Sequence, residues 1–309
     1  MHARAITIML GSAFLFACAQ DTDPDPEPDL AADTTAAMPG GDRAAVDLFA
    51  DSASARDQIV FVGRDSTVRS GDHARSIFVP LSTFSVERDG IPNEFPSADS
   101  METMLEAAGV RGERMLIVGE PIPAGRAWAA LDYLGLGERA ALLDGGPAAL
   151  ATAPSTGPAG GAAATAPADS RGVDLDADVR DDMIVDADWV NDRLNDPGVA
   201  ILDARPPAEF SGATPGDGID RPGHIPGARN VFWQTLVESA DNPKLRDEAQ
   251  LRQIFEQAGV GPDDTIVAYC RTGGQASFLY TVARHLGYDV KLYDGSFIDW
   301  SRTDYPVER

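Results

Sequence analysis

The chain of 309 residues contains few cysteines, lysines and histidines. Its two cysteines are Cys18 and Cys270, and its four histidines are scattered without forming a cluster with cysteine. The sequence therefore indicates no metal site, and we expect no cofactor. Acidic residues outnumber basic ones by 49 to 25, which gives a net charge of −24. Such a surface repels nucleic acid and anionic lipid, so neither is an expected partner. With 43% hydrophobic residues, the chain can still form packed cores.

The N-terminal segment resembles a signal peptide rather than part of a fold. MHARAITIMLGSAFLFACAQ begins with a basic residue and continues with an apolar stretch over residues 5–17, which is too short to span a bilayer. Residues 15–18, LFAC, resemble the bacterial lipoprotein signal, in which Cys18 would be lipidated; ordinary secretion is the alternative. We therefore expect residues 1–18 to be a signal peptide with a lipobox-like end. The protein would then lie at the periplasmic face of the cell envelope, held by an N-terminal lipid anchor. Residues 19–42, acidic and rich in proline, are expected to be a disordered tether.

The chain contains an internal repeat at a spacing of 150 residues. MLEAAGVRGERMLIVGE at 104–120 aligns without gaps with IFEQAGVGPDDTIVAYC at 254–270. One register through several separate matches predicts two domains of the same fold. The second copy carries an insertion around SGATPGDGID. The same spacing superposes two further pairs of dipeptides: Leu136-Gly137 on Leu286-Gly287, and Asp144-Gly145 on Asp294-Gly295.

Each copy alternates short apolar runs with amphipathic helical segments, which implies right-handed crossovers and a mostly parallel sheet. We predict an α/β protein with two similar domains, each a mostly parallel sheet flanked by helices. In the second copy, the pattern predicts a buried central strand at 266–269 and a helix at 276–285. Residues 151–180, rich in Ala, Pro and Gly, are expected to be a flexible linker. The two domains would then occupy residues 43–150 and 181–309.

Five segments of the second copy follow one another in a distinctive order: VDADWVNDRL (185–194), LDARPPAEFSG (202–212), GHIPGARN (223–230), YCRTGGQAS (269–277) and YDGSFIDW (293–300). With these segments the second copy resembles the rhodanese, or thiosulfate sulfurtransferase, family in its tandem-domain form. The first copy is assigned to the same family mainly through the repeat. The resemblance implies that the first domain is catalytically silent and packs beside the second, whose active loop lies between the domains.

Cys270 is the candidate nucleophile, and an inert buried thiol is the alternative. It follows a strand and precedes a helix, where unpaired backbone N–H groups and the helix dipole stabilise an anion. A ring of N–H groups would favour the thiolate, whose ordinary pKa is about 8.5, and the persulfide that replaces it. Gly273 and Gly274 would allow backbone angles closed to other residues. Arg271 adds a positive charge suited to an anionic sulfur donor. The same substrate-binding loop contains Thr272 and Gln275 as candidate hydrogen-bonding groups, and Ala276 as the first packed residue of the helix.

The first copy lacks the nucleophile, because Glu120 aligns with Cys270 and the segment there is EPIPAGR. Its two prolines remove two N–H donors, and its carboxylate would repel an anionic substrate. We therefore predict that the first domain is inactive. Cysteine phosphatases of related fold use the pattern C-x-x-x-x-x-R, but here the sixth position after Cys270 is Ala276. Phosphatase activity is accordingly the weaker alternative.

Three further residues of the family motifs are expected to support the site rather than react. Asp203 would hold Arg205 or loop N–H groups, and His224 would shape its turn. Glu209 stands where some thiosulfate- and mercaptopyruvate-type members carry a substrate-binding arginine, which is a departure from the family pattern. Three aromatic residues are expected to pack in the core rather than line the pocket: Phe210, Trp233 and Trp300.

These observations together predict a sulfurtransferase. The Cys270 thiolate would take the outer sulfur of thiosulfate, or of a similar small anionic donor, and pass it to a thiol or cyanide acceptor. A mercaptopyruvate donor is an alternative, since Arg271-Thr272 combines features of both donor types. A non-catalytic persulfide-binding or sensing module, anchored in the cell envelope, is an alternative from a different class.

Overall fold

The computed structural model describes residues 47–54, 56–68, 73, 75–111, 114–152 and 175–309. The predicted signal peptide, the predicted tether and Cys18 lie outside these residues, as does most of the predicted linker. Within the described part of the chain, no helix is both long enough and apolar enough to cross a lipid bilayer.

The first half contains seven strands and three helices among its described residues. They are β1 (Phe49–Ala50), β2 (Gln58–Gly63), β3 (Ser76–Pro80), β4 (Val86–Arg88), β5 (Ile91–Glu94), α1 (Ala98–Ala107), β6 (Met115–Val118), α2 (Pro121–Tyr133), β7 (Ala140–Leu143) and α3 (Gly146–Thr152). The pair β4 and β5 forms an antiparallel hairpin outside the main sheet. This hairpin, residues 86–94, is called the hairpin below.

The second half contains five strands and five helices. They are β8 (Ile184–Val185), α4 (Ala187–Asn191), β9 (Val199–Asp203), α5 (Pro207–Phe210), β10 (Arg229–Asn230), α6 (Glu248–Gln257), β11 (Thr265–Tyr269), α7 (Gly274–His285), β12 (Asp289–Tyr293) and α8 (Ser296–Trp300). The predicted strand at 266–269 is present as β11. The predicted helix at 276–285 begins two residues earlier, because Gly273 rather than a later residue caps it.

The two halves share one topology, which confirms the predicted α/β fold. The first main sheet has the order β3-β2-β6-β7-β1 and the second has the order β10-β9-β11-β12-β8, with every pair of neighbours parallel. Helices α1 and α6 begin and end 150 residues apart, as the repeat predicts. The central strand β11 is apolar along nearly its whole length because helices cover both faces of a parallel sheet.

The two halves pack through helices α2 and α7, and one core cluster includes residues of both. A Cβ atom at Gly125 of α2 would lie 2.7 Å from the Cα atom of Phe278 in α7. Glycine is therefore required for this close approach of the helix backbones. The hydroxyl of Thr281 in α7 also donates to the Gly125 carbonyl at 3.4 Å. The N-terminus of α7 is consequently held against the first half.

The boundaries predicted around the linker need correction. Helix α3 continues to Thr152, two residues beyond the predicted end of the first domain. At the other end, Leu175 is buried and belongs to the main core cluster. The backbone N–H of Asp178 donates to the Leu134 carbonyl, just after α2, at 3.1 Å, and that of Arg180 donates to the Tyr133 carbonyl, at the end of α2, at 2.8 Å. Residues 175–180 therefore pack on the first half and are not part of a flexible linker.

Candidate active site

Cys270 lies at the carboxyl end of the central strand β11, between the carboxyl ends of β9 and β12. In an open parallel sheet this edge is where ligands bind. The side chain of Cys270 is buried, with 1% of its surface exposed, and it forms no disulfide. Residues 270–273 join β11 to α7, and we call these residues together with the first turn of α7, residues 270–276, the cysteine loop.

Helix α8 holds the first residues of the cysteine loop in place. The backbone N–H of Cys270 donates to the hydroxyl of Ser296 at 3.2 Å, and the carbonyl of Cys270 accepts from the N–H of Phe297 at 2.9 Å. The carbonyl of Arg271 accepts from the N–H of Ile298 at 3.0 Å. Ser296 itself is fully buried and has a φ of 58°, in the left-handed region that non-glycine residues rarely adopt. This strained position lets the start of α8 meet the loop.

Three backbone N–H groups lie close enough to the Cys270 sulfur to lower the pKa of its thiol by hydrogen bonding: those of Ala276, Thr272 and Gln275. We call this group the amide cradle. Burial raises the pKa of the Cys270 thiol and is the largest influence on it, while the cradle lowers it and the Asp203 carboxylate raises it further. The net result is a pKa above the ordinary value of the thiol. The N–H groups that the sequence predicts around the sulfur thus lower the pKa of the thiol, but burial has the larger and opposite influence.

The two glycines of the cysteine loop have different roles. Gly273 has a φ of 84°, and a Cβ atom there would lie 2.7 Å from the Oδ1 atom of Asp294. Only glycine suits this position. Gly274 is the first residue of α7 and is not in the left-handed region, so the prediction of special backbone angles is wrong there. A Cβ atom at Gly274 would instead lie 3.3 Å from the side chain of Ile122 in the first half.

Arg271 forms an ion pair with Glu209 and remains partly exposed. Its Nη1 atom lies 3.7 Å from Glu209 Oε1, and the two side chains are 35% and 15% exposed. The other carboxylate oxygen, Oε2, is buried and has no hydrogen-bond partner among the described residues. Gly216, in the insertion that the repeat indicates, covers this pair. A Cβ atom at Gly216 would lie 2.7 Å from Arg271 Cδ and 2.9 Å from Glu209 Oε2.

The hairpin of the first half contacts the cysteine loop. The side-chain amide of Asn93 donates to the hydroxyl of Thr272 at 3.1 Å. Thr272 therefore provides both a cradle N–H group and a side-chain contact to the first half. Gln275 is half-buried and contributes its backbone N–H to the cradle, while Ala276 is fully buried in the first turn of α7.

Arg126, in α2 of the first half, is a residue of the site that the sequence analysis missed. Its guanidinium is buried and forms an ion pair at 2.5 Å with Asp294, the residue that directly follows β12. It also donates to the hydroxyl of Ser277 at 3.2 Å and lies over the Phe95 ring, 3.7 Å from the centroid. The Nη1 atom of Arg126 would lie 3.2 Å from a Cβ atom at Gly273. The repeat holds a signal for this residue, because Arg126 aligns with Ala276 of the cysteine loop.

Asp203 and Arg205 form the buried pair that the sequence predicts. The Asp203 carboxylate accepts from the Nε and Nη2 atoms of Arg205, the closest contact being 2.6 Å. Arg205 also donates to the carbonyl of Gly223 at 2.8 Å. Asp203 is paired with Tyr269 across β9 and β11, so its charge lies one residue from Cys270 along the neighbouring strand.

His224 holds its own turn in place through contacts with Phe210 and Glu308. Its ring stacks on Phe210 at 3.8 Å between centroids, and its Nδ1 atom is 3.0 Å from the Phe210 carbonyl. Its backbone exchanges two hydrogen bonds with Glu308 near the C-terminus. Trp300 is fully buried in the core, and Trp233 is half-buried with its ring edge-on to Phe278. These aromatic contacts are packing contacts, as expected.

The equivalent position in the first half has no loop. Strand β6 ends at Val118, and α2 begins at Pro121, so only Gly119 and Glu120 separate them. Residues 121–126, which the sequence analysis treats as a loop, are the first turns of the helix. Glu120 is exposed and caps α2 without a side-chain hydrogen bond. Among the residues that the structure describes, no group of His, Cys, Asp and Glu could hold a metal ion.

Comparison with known proteins agrees with this geometry. A model of the rhodanese-like domain matches residues 186–303. The thiosulfate sulfurtransferase of Pseudomonas aeruginosa is 30% identical over 229 residues, which is 70% of this chain and 78% of that protein. The 3-mercaptopyruvate sulfurtransferase of Escherichia coli strain K12 is 30% identical over 247 residues, 75% of this chain and 82% of that protein. The chain is thus similar to enzymes named for either donor.

Other relatives match over shorter segments or at lower identity. Two putative thiosulfate sulfurtransferases with higher identity, 43 and 38%, match over shorter segments, and the chain covers 36 and 42% of their length. The crystal structure of the Tum1 protein from Saccharomyces cerevisiae has a TM-score of 0.64 at 19% identity, covering 82% of this chain and 92% of that one. At this identity the likeness shows the fold alone.

Proposed function

The chain belongs to the rhodanese-like sulfurtransferase family, and we propose that it transfers sulfane sulfur through a persulfide on Cys270. The observation that supports this proposal most directly is the amide cradle around the only cysteine of the described residues. A persulfide carries its negative charge on the outer sulfur, and backbone N–H groups at a helix N-terminus stabilise such a charge. The first half has no equivalent group, and we propose that it is catalytically inactive.

The first half-reaction begins when Cys270 loses its proton to solvent. The thiolate attacks the outer sulfur of thiosulfate, a new sulfur–sulfur bond forms on Cys270, and the bond within thiosulfate breaks. Sulfite leaves with the electron pair of the broken bond. In the second half-reaction cyanide or a thiol attacks the outer sulfur of the persulfide, and the Cys270 thiolate leaves. The enzyme is thereby regenerated, which gives ping-pong kinetics.

The test is an assay of thiocyanate formed from thiosulfate and cyanide by the purified protein and by the variant Cys270→Ser. We expect the variant to lose all enzymatic thiocyanate formation. Mass spectrometry after donor treatment should show one added sulfur atom on Cys270 in the unaltered protein alone. Equal activity in the two proteins, or an added sulfur on another residue, would contradict the proposal.

Thiosulfate is the donor that we propose to test first, with 3-mercaptopyruvate as the alternative. The relatives named above include enzymes of both kinds. The residues after Cys270 combine features of both donor types, since Arg271 is typical of one and Thr272 of the other. Comparison of kcat/KM for the two donors decides between them. A higher value for 3-mercaptopyruvate would reject the thiosulfate assignment.

A persulfide carrier without turnover is the second candidate. It is favoured by the Arg271–Glu209 ion pair, because an arginine that is already paired binds an incoming anion less well. Single-turnover experiments separate the two functions. If Cys270 gains sulfur but neither cyanide nor small thiols remove it, the protein is a carrier rather than an enzyme.

We propose further that the protein is attached to the cell envelope through Cys18, which lies outside the described residues. The lipoprotein-like segment LFAC supports this location. Expression of the full chain and of Cys18→Ala, followed by separation of membranes, is the test. The unaltered chain should remain with membranes and the variant should be released; the same distribution for both would reject the anchor.

A further inference from the structure

Each of three arginines beside the cysteine loop is already paired with a carboxylate. Arg205 contacts Asp203 at 2.6 Å, Arg126 contacts Asp294 at 2.5 Å, and Arg271 lies 3.7 Å from Glu209. The first two pairs are buried, so neither charge is available to a ligand without the loss of a buried contact. A doubly charged anion near the cysteine loop would therefore meet arginines whose charges are already balanced by carboxylates.

Glu209 adds an unsatisfied acceptor to these surroundings. Its Oε2 atom is buried and has no hydrogen-bond partner among the described residues, while Oε1 faces Arg271 beyond hydrogen-bond distance. A buried carboxylate oxygen without a donor is unfavourable, and a bound N–H group would relieve it. The absence of a side chain at Gly216 is what allows Glu209 and Arg271 to lie together at this place.

The fold places Glu209 beside the cysteine loop. Helix α5, which contains Glu209, follows directly after β9, and β9 is the immediate neighbour of β11. Arg271, the partner of Glu209, is the residue next to Cys270. The overall charge of −24 further disfavours the approach of a dianion such as thiosulfate.

We propose that Glu209 determines donor specificity, and that the preferred donor carries an ammonium group beside its reactive sulfane sulfur. This inference rests on the proposed sulfurtransferase function and narrows its substrate class. Arg271 would then contact the anionic end of the donor while Glu209 accepts a hydrogen bond from the ammonium group. Thiosulfate remains a donor, but a poor one, because it offers a second negative charge where Glu209 requires a positive one.

Two thiosulfonates form a matched pair of probes. In 2-aminoethanethiosulfonate and ethanethiosulfonate the reacting group is the same, and only the first has an ammonium group. With either, the Cys270 thiolate attacks the outer sulfur, the sulfur–sulfur bond of the donor breaks, and a sulfinate leaves with the electron pair. The product on the enzyme is the same persulfide, so no oxidant or reductant is needed. Dividing each rate by that of uncatalysed cyanolysis removes the difference in intrinsic reactivity.

The experiment measures kcat/KM for both thiosulfonates and for thiosulfate with the unaltered protein, with Glu209→Gln and with Glu138→Gln. Glu138 is exposed and precedes β7 at its amino end, opposite the cysteine loop, so its variant changes the net charge equally without touching the site. In the unaltered protein we expect the aminated donor to exceed the ethyl donor by about tenfold, and thiosulfate to be poorest. Glu209→Gln should abolish this preference and raise the value for thiosulfate by about tenfold, whereas Glu138→Gln should change neither.

Each outcome has a defined meaning. An unaltered protein that treats the two thiosulfonates alike, or prefers thiosulfate, overturns the inference even if Glu209→Gln does not fold. The same holds if Glu209→Gln folds and keeps the preference. Each of these results leaves the sulfurtransferase proposal standing, since a persulfide still forms on Cys270. If no donor gives a persulfide, it is the proposed function that fails, and donor specificity with it.

Discussion

The two halves of this protein have the same sheet order, yet the connection between the central strand and its helix differs in length. In the second half four residues, 270–273, separate the central strand from its helix, whereas in the first half only Gly119 and Glu120 do so. The longer connection and the first turn of α7 together place three N–H groups near the cysteine sulfur. The comparison shows that a change of two residues before one helix distinguishes the connection that contains Cys270 from its counterpart in the first half.

The first half is nevertheless part of the site. Its α2 supplies Arg126, and its hairpin supplies Asn93, both of which contact the second half near the cysteine loop. The sequence analysis treats this half as an inactive neighbour. The structure shows that it forms one wall of the candidate site. Its sequence differs from that of the second half, but the residues that make these contacts are constrained by them.

The largest effect is expected when the cysteine is moved from the second half to the equivalent position of the first. A double variant, Glu120→Cys with Cys270→Ser, should form no persulfide and no thiocyanate from thiosulfate and cyanide. A thiol at position 120 would be exposed, and Pro121 and Pro123 remove two of the N–H groups needed to hold the transferred sulfur. Cys270→Ser alone is the control. Measurable turnover by the double variant would show that the amide cradle is not needed.

The ion pair that joins the halves should have a large effect on stability. Arg126→Met leaves the Asp294 carboxylate buried without its partner, and we expect the free energy of unfolding to fall by about 3–5 kcal/mol. Urea denaturation measures this loss, and Arg56→Met, which alters an exposed arginine, is the control. Adding Asp294→Asn to Arg126→Met should recover part of the loss. Equal stability of Arg126→Met and Arg56→Met would show that the pair does not stabilise the interface.

A single N–H group of the amide cradle can be removed by Ala276→Pro. The third position of α2 in the first half is Pro123, so a helix of this fold accommodates proline there. We expect the rate of persulfide formation to fall by about 10- to 100-fold, because one donor to the developing anion is lost. Ala276→Gly keeps the N–H group and is the control. Equal rates for the two variants in stopped-flow single turnovers would exclude this N–H group from the reaction.

The dependence on pH should distinguish the buried cysteine from an exposed thiol. Burial raises the pKa of the Cys270 thiol above its ordinary value, so the thiolate is the minor form near neutral pH. Below this pKa the rate of persulfide formation should rise about tenfold per pH unit, and it should level off only above the ordinary pKa of a thiol. The same profile for a small model thiol provides the reference. A plateau reached below neutral pH would mean that the cradle outweighs burial.

Much of the fold could be predicted because it depends on local patterns. The apolar run of β11, the amphipathic pattern of α6 and the matching dipeptides at a spacing of 150 all indicate two parallel sheets without reference to contacts. The pairing of Asp203 with Arg205 was also predictable, since the two residues are two positions apart. The role of residues 175–180 was not, because their hydrogen bonds reach back to the end of α2, which is distant along the chain.

By itself, the sequence determined the repeat, the parallel architecture and the position of the candidate nucleophile, all of which follow from periodicity and residue order. Only the tertiary structure decided the direction in which the pKa of Cys270 is shifted, since the balance between burial and three N–H groups depends on how much water the fold removes. It also decided the charge of the site. Arg126 and Asp294 meet across 168 positions of the chain, and Glu209 reaches Arg271 from the helix that follows the neighbouring strand. Electrostatic energy depends on distance in space, which no spacing along the sequence specifies.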